Sequence, residues 1–198
     1  LFLVNPIHCS ARDFMKAFSA QGIILSTKVM FETDKRVELF SPTLGRVSLL
    51  AKHACRSRRR FGGTLEPPHL VSVGLYSGSS FYLVQYCDLI TSFSTIRTHY
   101  NLLQMMGHLF DIIRKSTASG QAHPTLFNLL SETLELLCHS PNPIDVITDF
   151  YIQFLSLEGI LDSPVPHTLS FRDFQRLFQP YSGKALSPLQ LLDGTRPY

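Results

Sequence analysis

A chain of 198 residues with 44% hydrophobic and 17% charged side chains has the composition of a folded globular protein. It is long enough for one large domain or two small ones, and its composition excludes a disordered chain. The net charge of +3 is modest but unevenly spread: residues 21–93 carry nine Lys and Arg against five Asp and Glu, whereas residues 94–198 carry seven against nine. A basic first half and a mildly acidic second half suggest two units with different partners.

The four cysteines, Cys9, Cys55, Cys87 and Cys138, are scattered without a C-x-x-C pair. That argues for a reducing compartment and against both a disulfide framework and a structural zinc site. His8-Cys9, Cys138-His139, and His53 with Cys55 read as chance neighbours, since adjacent His and Cys do not easily face one ion. The most apolar run, Leu102 to Ile113, is interrupted by Gln104, His108 and Asp111, and it is shorter than the roughly 20 residues a bilayer requires. The opening Leu-Phe-Leu-Val-Asn-Pro lacks the basic start and long apolar core of a signal peptide. The expected setting is cytoplasmic, with no membrane partner and no small-molecule substrate.

In chain order, residues 1–20 are expected to form an extension, with residues 1–14 outside the fold and Met15 a plausible natural start. From Gln21 the hydrophobic period is two. Gly22 to Phe31 reads as a first strand and Glu32-Thr33-Asp34 as a polar turn. Lys35 to Phe40 then alternates, with Val37 and Leu39 on one face and Arg36, Glu38 and Phe40 on the other. After a turn at Ser41 to Gly45, the stretch Arg46 to Lys52 directs Val47, Leu49 and Ala51 inward. His69 to Tyr76 places Val71, Val73 and Leu75 on one face. Ser77-Gly78-Ser79 signals a hairpin, and Ser80 to Ser92 is the last strand. Five short strands in about 70 residues fit a small closed barrel of the oligonucleotide-binding (OB) type, with an SH3-like barrel as the alternative.

Between the third and fourth strands lies a dense basic stretch: Lys52, Arg56, Arg58, Arg59 and Arg60, with Arg46 upstream. No acid occurs between Glu38 and Glu66. Such a cluster is a footprint for a polyanion, because each guanidinium can pair bidentately with phosphate oxygens and release a counterion. Phe61-Gly62-Gly63 closes it as a turn.

At Thr95 the period becomes helical. Leu102, Leu103, Met106, Leu109, Phe110 and Ile113 form one stripe, ending at Arg114-Lys115. Pro124 marks a second helix start, Asn142-Pro143 a third, and Gly159 a helix stop. A joint containing Pro164 and Pro166 leads to a helical segment from Ser170 to Phe178, and Ser187-Pro188 suggests one more short helix. The expected class is therefore α+β, with a barrel at 21–93 and an all-helical domain at 94–198. There is no Walker phosphate loop, no serine elbow and no paired-carboxylate spacing, so no catalytic residue is assigned.

Several segments together resemble the bacterial RecO family of recombination mediators. They are Gly22-Ile-Ile-Leu, Glu32-Thr-Asp-Lys-x-Val-x-Leu-Phe-Ser-Pro, Gly45-Arg-Val-Ser-Leu-Leu-Ala-Lys and Arg56-Ser-Arg-Arg-Arg-Phe-Gly-Gly-Thr-Leu-Glu-Pro. Leu75-Tyr-Ser-Gly and Leu89-Ile-Thr-Ser-Phe follow in order, and Pro124-Thr-Leu-Phe-Asn-Leu-Leu extends the likeness more loosely into the helices. The resemblance implies an OB barrel followed by a helical domain, binding and annealing of single- and double-stranded DNA, and help in loading RecA onto strands coated by single-stranded DNA-binding protein (SSB). It implies RecR and the acidic, apolar SSB tail as partners, RecA indirectly, and a place at the nucleoid. The DNA contacts it implies are Lys35, Arg36, Arg46, Lys52, Arg56, Arg58, Arg59 and Arg60.

Many members carry a four-cysteine zinc element, but the corresponding region here, Gly159 to Leu169, contains no cysteine. No metal or other cofactor is expected. For the SSB tail, the candidate cations are Arg97, Arg114 and Lys115, which stand beside apolar helix stripes. Phe40, Tyr76 and Tyr82 are candidate base-stacking aromatics. Two other classes stay open: an OB-fold RNA-binding accessory factor without catalytic activity, and an enzyme of nucleic-acid metabolism whose barrel only grips substrate.

Overall fold

In the computed structural model the described residues are 17–56, 61, 63–77, 81–161 and 169–186. Five strands come first: β1 (Ala17–Met30), β2 (Asp34–Ser41), β3 (Gly45–Ala51), β4 (Leu70–Ser77) and β5 (Tyr82–Thr91). They close into a barrel in the order β1-β2-β3-β5-β4. The long β1 pairs with β4 through its first half and with β2 through its second, all antiparallel. Closure comes from a short parallel contact, Leu49 with Tyr82 and Leu50 with Leu83. This is the five-stranded OB arrangement, and it settles the choice against the SH3-like alternative.

Alternation explains the barrel core. Val37 and Leu39, Val47, Leu49 and Ala51, and Val71, Val73 and Leu75 all point inward and are buried. The first strand starts at Ala17, before the Gln21 where alternation becomes visible, because residues 17–20 pair with Val73 to Tyr76. Its other end is shorter than expected, since Phe31 belongs to the turn. The segment after β3 is more than a loop. Phe61 and Leu65 are buried in the barrel core, Thr27 Oγ1 donates to the Leu65 carbonyl at 2.8 Å, and Lys35 pairs with Glu66 at 2.8 Å. Phe61 and residues 63–69 thus plug one mouth of the barrel.

The helices are α1 (Ser94–Thr98), α2 (Tyr100–Ser116), α3 (Pro124–His139), α4 (Pro143–Leu157) and α5 (Phe171–Ser182). Their starts follow from the local sequence. Pro124 and Pro143 occupy first-turn positions, and His123 caps α3 by accepting from the Leu126 amide. Ser170 caps α5 by accepting from the Asp173 amide, and Gly183 ends that helix in the left-handed region. The Pro164/Pro166 joint and the segment from Ser187 lie outside the described residues.

A second core joins barrel and helices. Ile23, Leu25 and Phe40 leave the outer surface of β1 and β2 to pack with the helical apolar stripes, and Phe40 lies 6.0 Å from Phe127 of α3. Beside this apolar contact sits an ionic one. Glu38 of β2 accepts from Arg46 Nη1 at 3.0 Å and from Arg114 Nε at 2.8 Å. Arg114 also donates to the Leu25 carbonyl, and Arg46 to the Thr117 carbonyl. Both guanidiniums therefore bridge the two units. Gly45, at φ +66°, lies so close to Gln121 that a β-carbon there would fall 2.0 Å from its carbonyl oxygen. The β3 turn and the loop after α2 are in direct contact.

Burial alone would raise the Glu38 carboxyl, but the hydrogen bonds from Arg114 and Arg46 more than offset it and hold it below its ordinary value of 4.5. A depressed carboxylate adds stability above its unfolded pKa and loses it as pH falls through the folded pKa. Chemical denaturation of the wild type should therefore show stability falling as pH drops below about 4.5, and Glu38→Gln should flatten that part of the profile. At pH 7 the variant should be less stable by about 2 kcal/mol, because two part-buried guanidiniums lose a charged acceptor. Equal acid profiles for the two proteins would refute this assignment.

Candidate nucleic-acid interface

The strand registers build one continuous row around the outside of the barrel. Lys28 pairs with Arg36, Arg36 with Leu50, Leu50 with Leu83, and Leu83 with Tyr76. Each of these follows or precedes an inward-facing residue, so alternation turns the whole row outward. Lys28 and Arg36 are exposed at its basic end. Arg36 donates through Nε to Ser48 Oγ at 2.9 Å, and its guanidinium lies 5.4 Å from the ring centre of Phe81, itself 37% exposed. A cation placed over an exposed aromatic offers one group that can meet a phosphate and another that can stack on a base. Beside the row a cleft of about 290 Å³ is lined by Ser26, Lys28, Arg36, Glu38, Arg46 and Ser48.

Two turns meet at the barrel end next to this row. The β1–β2 turn is tied to the turn after β3: the Cys55 amide donates to the Thr33 carbonyl at 2.9 Å and the His53 amide to Asp34 Oδ1 at 2.8 Å. The His53 hydrogen bond holds the Asp34 carboxyl below its usual value. Lys52, His53 and Arg56 on the second turn are exposed. Phe31 and Glu32, on the first, have left-handed backbones with φ 47° and 60°. For residues carrying a β-carbon that conformation costs about 1–2 kcal/mol each.

The expected DNA contacts divide into three groups. Arg36, Lys52 and Arg56 are exposed cations on this face and its adjoining turn. Lys35 and Arg46 are only half-buried but engaged, Lys35 with Glu66 and Arg46 with Glu38. Arg58, Arg59 and Arg60 lie outside the described residues. Of the candidate aromatics, Phe40 is corrected: it is wholly buried against Phe127, because β2 carries one buried face toward the barrel and a second toward the helices. Tyr82 packs edge-on to Phe18 at 5.6 Å beside the barrel core, whereas Tyr76 lies on the outer row. Sequence reasoning passed over Lys28, Phe81 and Phe31. Lys28 was legible, since it is two residues from Ser26 and shares its outward parity; the other two depend on where strands end.

Arg97, Arg114 and Lys115 do not come together. Arg97 is exposed in α1, while the other two lie in the last turn of α2, about 21 Å along that helix from Tyr100 at the helical rise per residue. Arg114 is engaged with Glu38, and Lys115 pairs with Asp111 and donates to the Ala185 carbonyl. Close to Arg97 in the chain, Thr98, His99, Tyr100, Leu102, Leu137 and Cys138 line a groove of about 660 Å³ between the α1–α2 and α3–α4 junctions. Burial pushes the Cys87 thiol up to about 11 and the Cys138 thiol upward as well, the opposite of an activated nucleophile. Among the described residues no three His, Cys, Asp or Glu side chains gather to hold a metal ion, and no helix is long and apolar enough to cross a membrane.

Comparison with known proteins bears on this arrangement. The chain is similar to the DNA repair protein RecO of Syntrophobacter fumaroxidans, 33% identical over 147 residues that make up 74% of this chain and 59% of that protein. It is also similar to the proteins of the same name from Geobacter metallireducens, 32% identical over 146 residues (73% of this chain, 59% of that protein), and Acetivibrio thermocellus, 27% over 146 residues (73% and 58%). The chain thus spans somewhat under two thirds of the length of these curated relatives. Residues 15–93 match the family described as "Recombination protein O N terminal", and residues 97–161 match "Recombination protein O C terminal". The barrel, which carries the candidate interface, and the helices packed on it therefore correspond in order to the two family domains, and the chain belongs to the recombination protein O family.

Proposed function

We propose that this chain is a DNA repair and homologous-recombination mediator that binds and anneals DNA strands and helps load RecA onto SSB-coated single strands. The observation that carries the reading is the outer row of the barrel, where exposed Lys28 pairs with Arg36, Arg36 adjoins Phe81, and the row leads to the exposed cations of the neighbouring turn. Lys28, Arg36, Lys52 and Arg56 are the phosphate contacts, joined by Arg58, Arg59 and Arg60. Lys35 and Arg46 act mainly in holding the barrel, given their ion pairs. The role is grip rather than chemistry. Affinity without sequence choice is what annealing requires, and phosphate contact supplies it. RecR is the expected partner protein, RecA an indirect one, and the setting is the cytoplasm, at the nucleoid. The SSB tail, acidic with apolar terminal residues, takes the groove near Arg97 instead of the Arg114–Lys115 end, since Arg114 and Lys115 are engaged in ion pairs, whereas Arg97 forms none among the described residues and lies near an apolar groove.

Anisotropy titrations with labelled oligothymidylate across a salt series should give log K falling by roughly 0.7 per phosphate contact per decade of salt. An Arg36→Ala/Lys52→Ala/Arg56→Ala protein should lose about 2 from that slope. The same variant should anneal SSB-coated complementary strands more slowly, and so should Arg58→Ala/Arg59→Ala/Arg60→Ala. Binding indifferent to salt, or tighter binding of a matched RNA, would overturn the reading. For the tail, a synthetic acidic peptide with an apolar C-terminus should bind Arg97→Ala several-fold more weakly and leave a Lys115→Ala protein near wild type. The reverse pattern would move the tail to the other end of α2.

A further inference from the structure

The β1–β2 turn is built at odds with what its own fold requires. Left-handed positions in a tight hairpin are normally filled by Gly or Asn, yet here Phe31 and Glu32 occupy them at φ 47° and 60°. The phenyl ring gains no burial in return. Phe31 is 80% exposed and its neighbour Val29 is 63% exposed, the two most exposed large apolar side chains among the described residues. A strained, bulky, solvent-facing residue is the kind of outlier from which a functional role can be inferred.

The ring is also held in a defined place. Thr33 and Asp34 accept backbone amides from Cys55 and His53, so the turn cannot swing away from the one beside it. Thr33 Oγ1 adds a bond to Asp34 Oδ1 at 3.1 Å. That neighbouring turn displays Lys52, His53 and Arg56 to solvent, and Lys28 stands three residues before Phe31 on the outward row. An exposed aromatic on a turn that carries one exposed carboxylate, Glu32, and is tied to a turn carrying Lys52 and Arg56 suits a polyanion that carries flat apolar rings. It does not suit a protein partner, which would need a broader apolar patch than two side chains.

We propose that Phe31 is a base-stacking platform: a nucleobase of an unpaired strand lies on its ring while the flanking phosphates meet Lys52, Arg56 and Lys28. The inference rests on the DNA-binding reading given above and adds a contact to the base, which the cations alone do not supply. Because every base has a π-face, the contact keeps binding tolerant of sequence. It also favours single over paired strands, since a paired base is already stacked.

The chain contains no tryptophan, so Phe31→Trp introduces a single indole reporter at the proposed contact. Titration of this variant with oligothymidylate should quench its fluorescence, and an abasic strand of the same length should not. Phe31→Ala should weaken single-strand binding roughly tenfold at every salt concentration while leaving the slope of log K against log salt unchanged, because no phosphate contact is removed. Phe31→Gly relieves the backbone strain and should raise Tm while still losing affinity, which separates a folding defect from a lost contact. If the wild type binds DNA with the expected salt slope, yet Phe31→Ala binds within twofold of it and the indole is not quenched, the platform is refuted and the phosphate face stands. If the wild type binds no DNA, both readings fall together. Quenching by abasic strand equal to that by oligothymidylate would show phosphate proximity without stacking, and would also refute the platform.

Discussion

The arrangement of this protein depends on one carboxylate. Glu38 projects from the outward side of β2 and takes one guanidinium on each oxygen, Arg46 from the adjacent strand and Arg114 from the end of α2. Each arginine then spends a second donor on a backbone carbonyl of the other structural unit: Arg114 on Leu25, Arg46 on Thr117. A half-buried charge with a single partner would be a liability, because desolvation opposes it. With two partners and a further hydroxyl from Ser26 the carboxylate is fully engaged, and it fixes the orientation of the helices against the barrel. The apolar contact of Ile23, Leu25 and Phe40 supplies burial but little direction; the ionic contact supplies direction.

That clamp also divides the basic residues into two classes. The positive charge of the first half looks, as a count, like one large nucleic-acid surface. In three dimensions Arg46 serves the junction and Lys35 serves the barrel mouth through Glu66, so fewer cations face solvent than the count suggests. Lys28, Arg36, Lys52 and Arg56 remain on the open side. The helices cover the neighbouring part of the same outer surface, at Ile23, Leu25 and Phe40.

The barrel interior was legible in the sequence, because strand alternation is a local property: Val47, Leu49 and Ala51 needed no knowledge of their partners. Helix starts were legible for the same reason, since Pro124, Pro143 and Ser170 act through their own turns. Phe40 was misread because alternation tells which face a residue takes, and not whether that face meets water or a second layer. The engagement of Arg114 with Glu38 was not legible, because its partner lies 76 positions away and only tertiary packing brings them together. Phe31 was hidden by its own composition: a phenylalanine after a β-branched run reads as strand, and nothing local announces that it turns into the left-handed region. The basic cluster was visible as a run of charges, but which of its members are engaged in ion pairs, as Lys35 and Arg46 are, depends on strands and loops distant in sequence.

The claim that a shared carboxylate locks the two units together is tested most directly by a double-mutant cycle between Glu38→Gln and Arg114→Gln, read from urea unfolding at neutral pH. A clamp of this geometry predicts a coupling of about 1–2 kcal/mol, with the double variant losing distinctly less than the sum of the singles. Additivity within about 0.3 kcal/mol would contradict it, and would leave apolar packing alone to hold barrel and helices together.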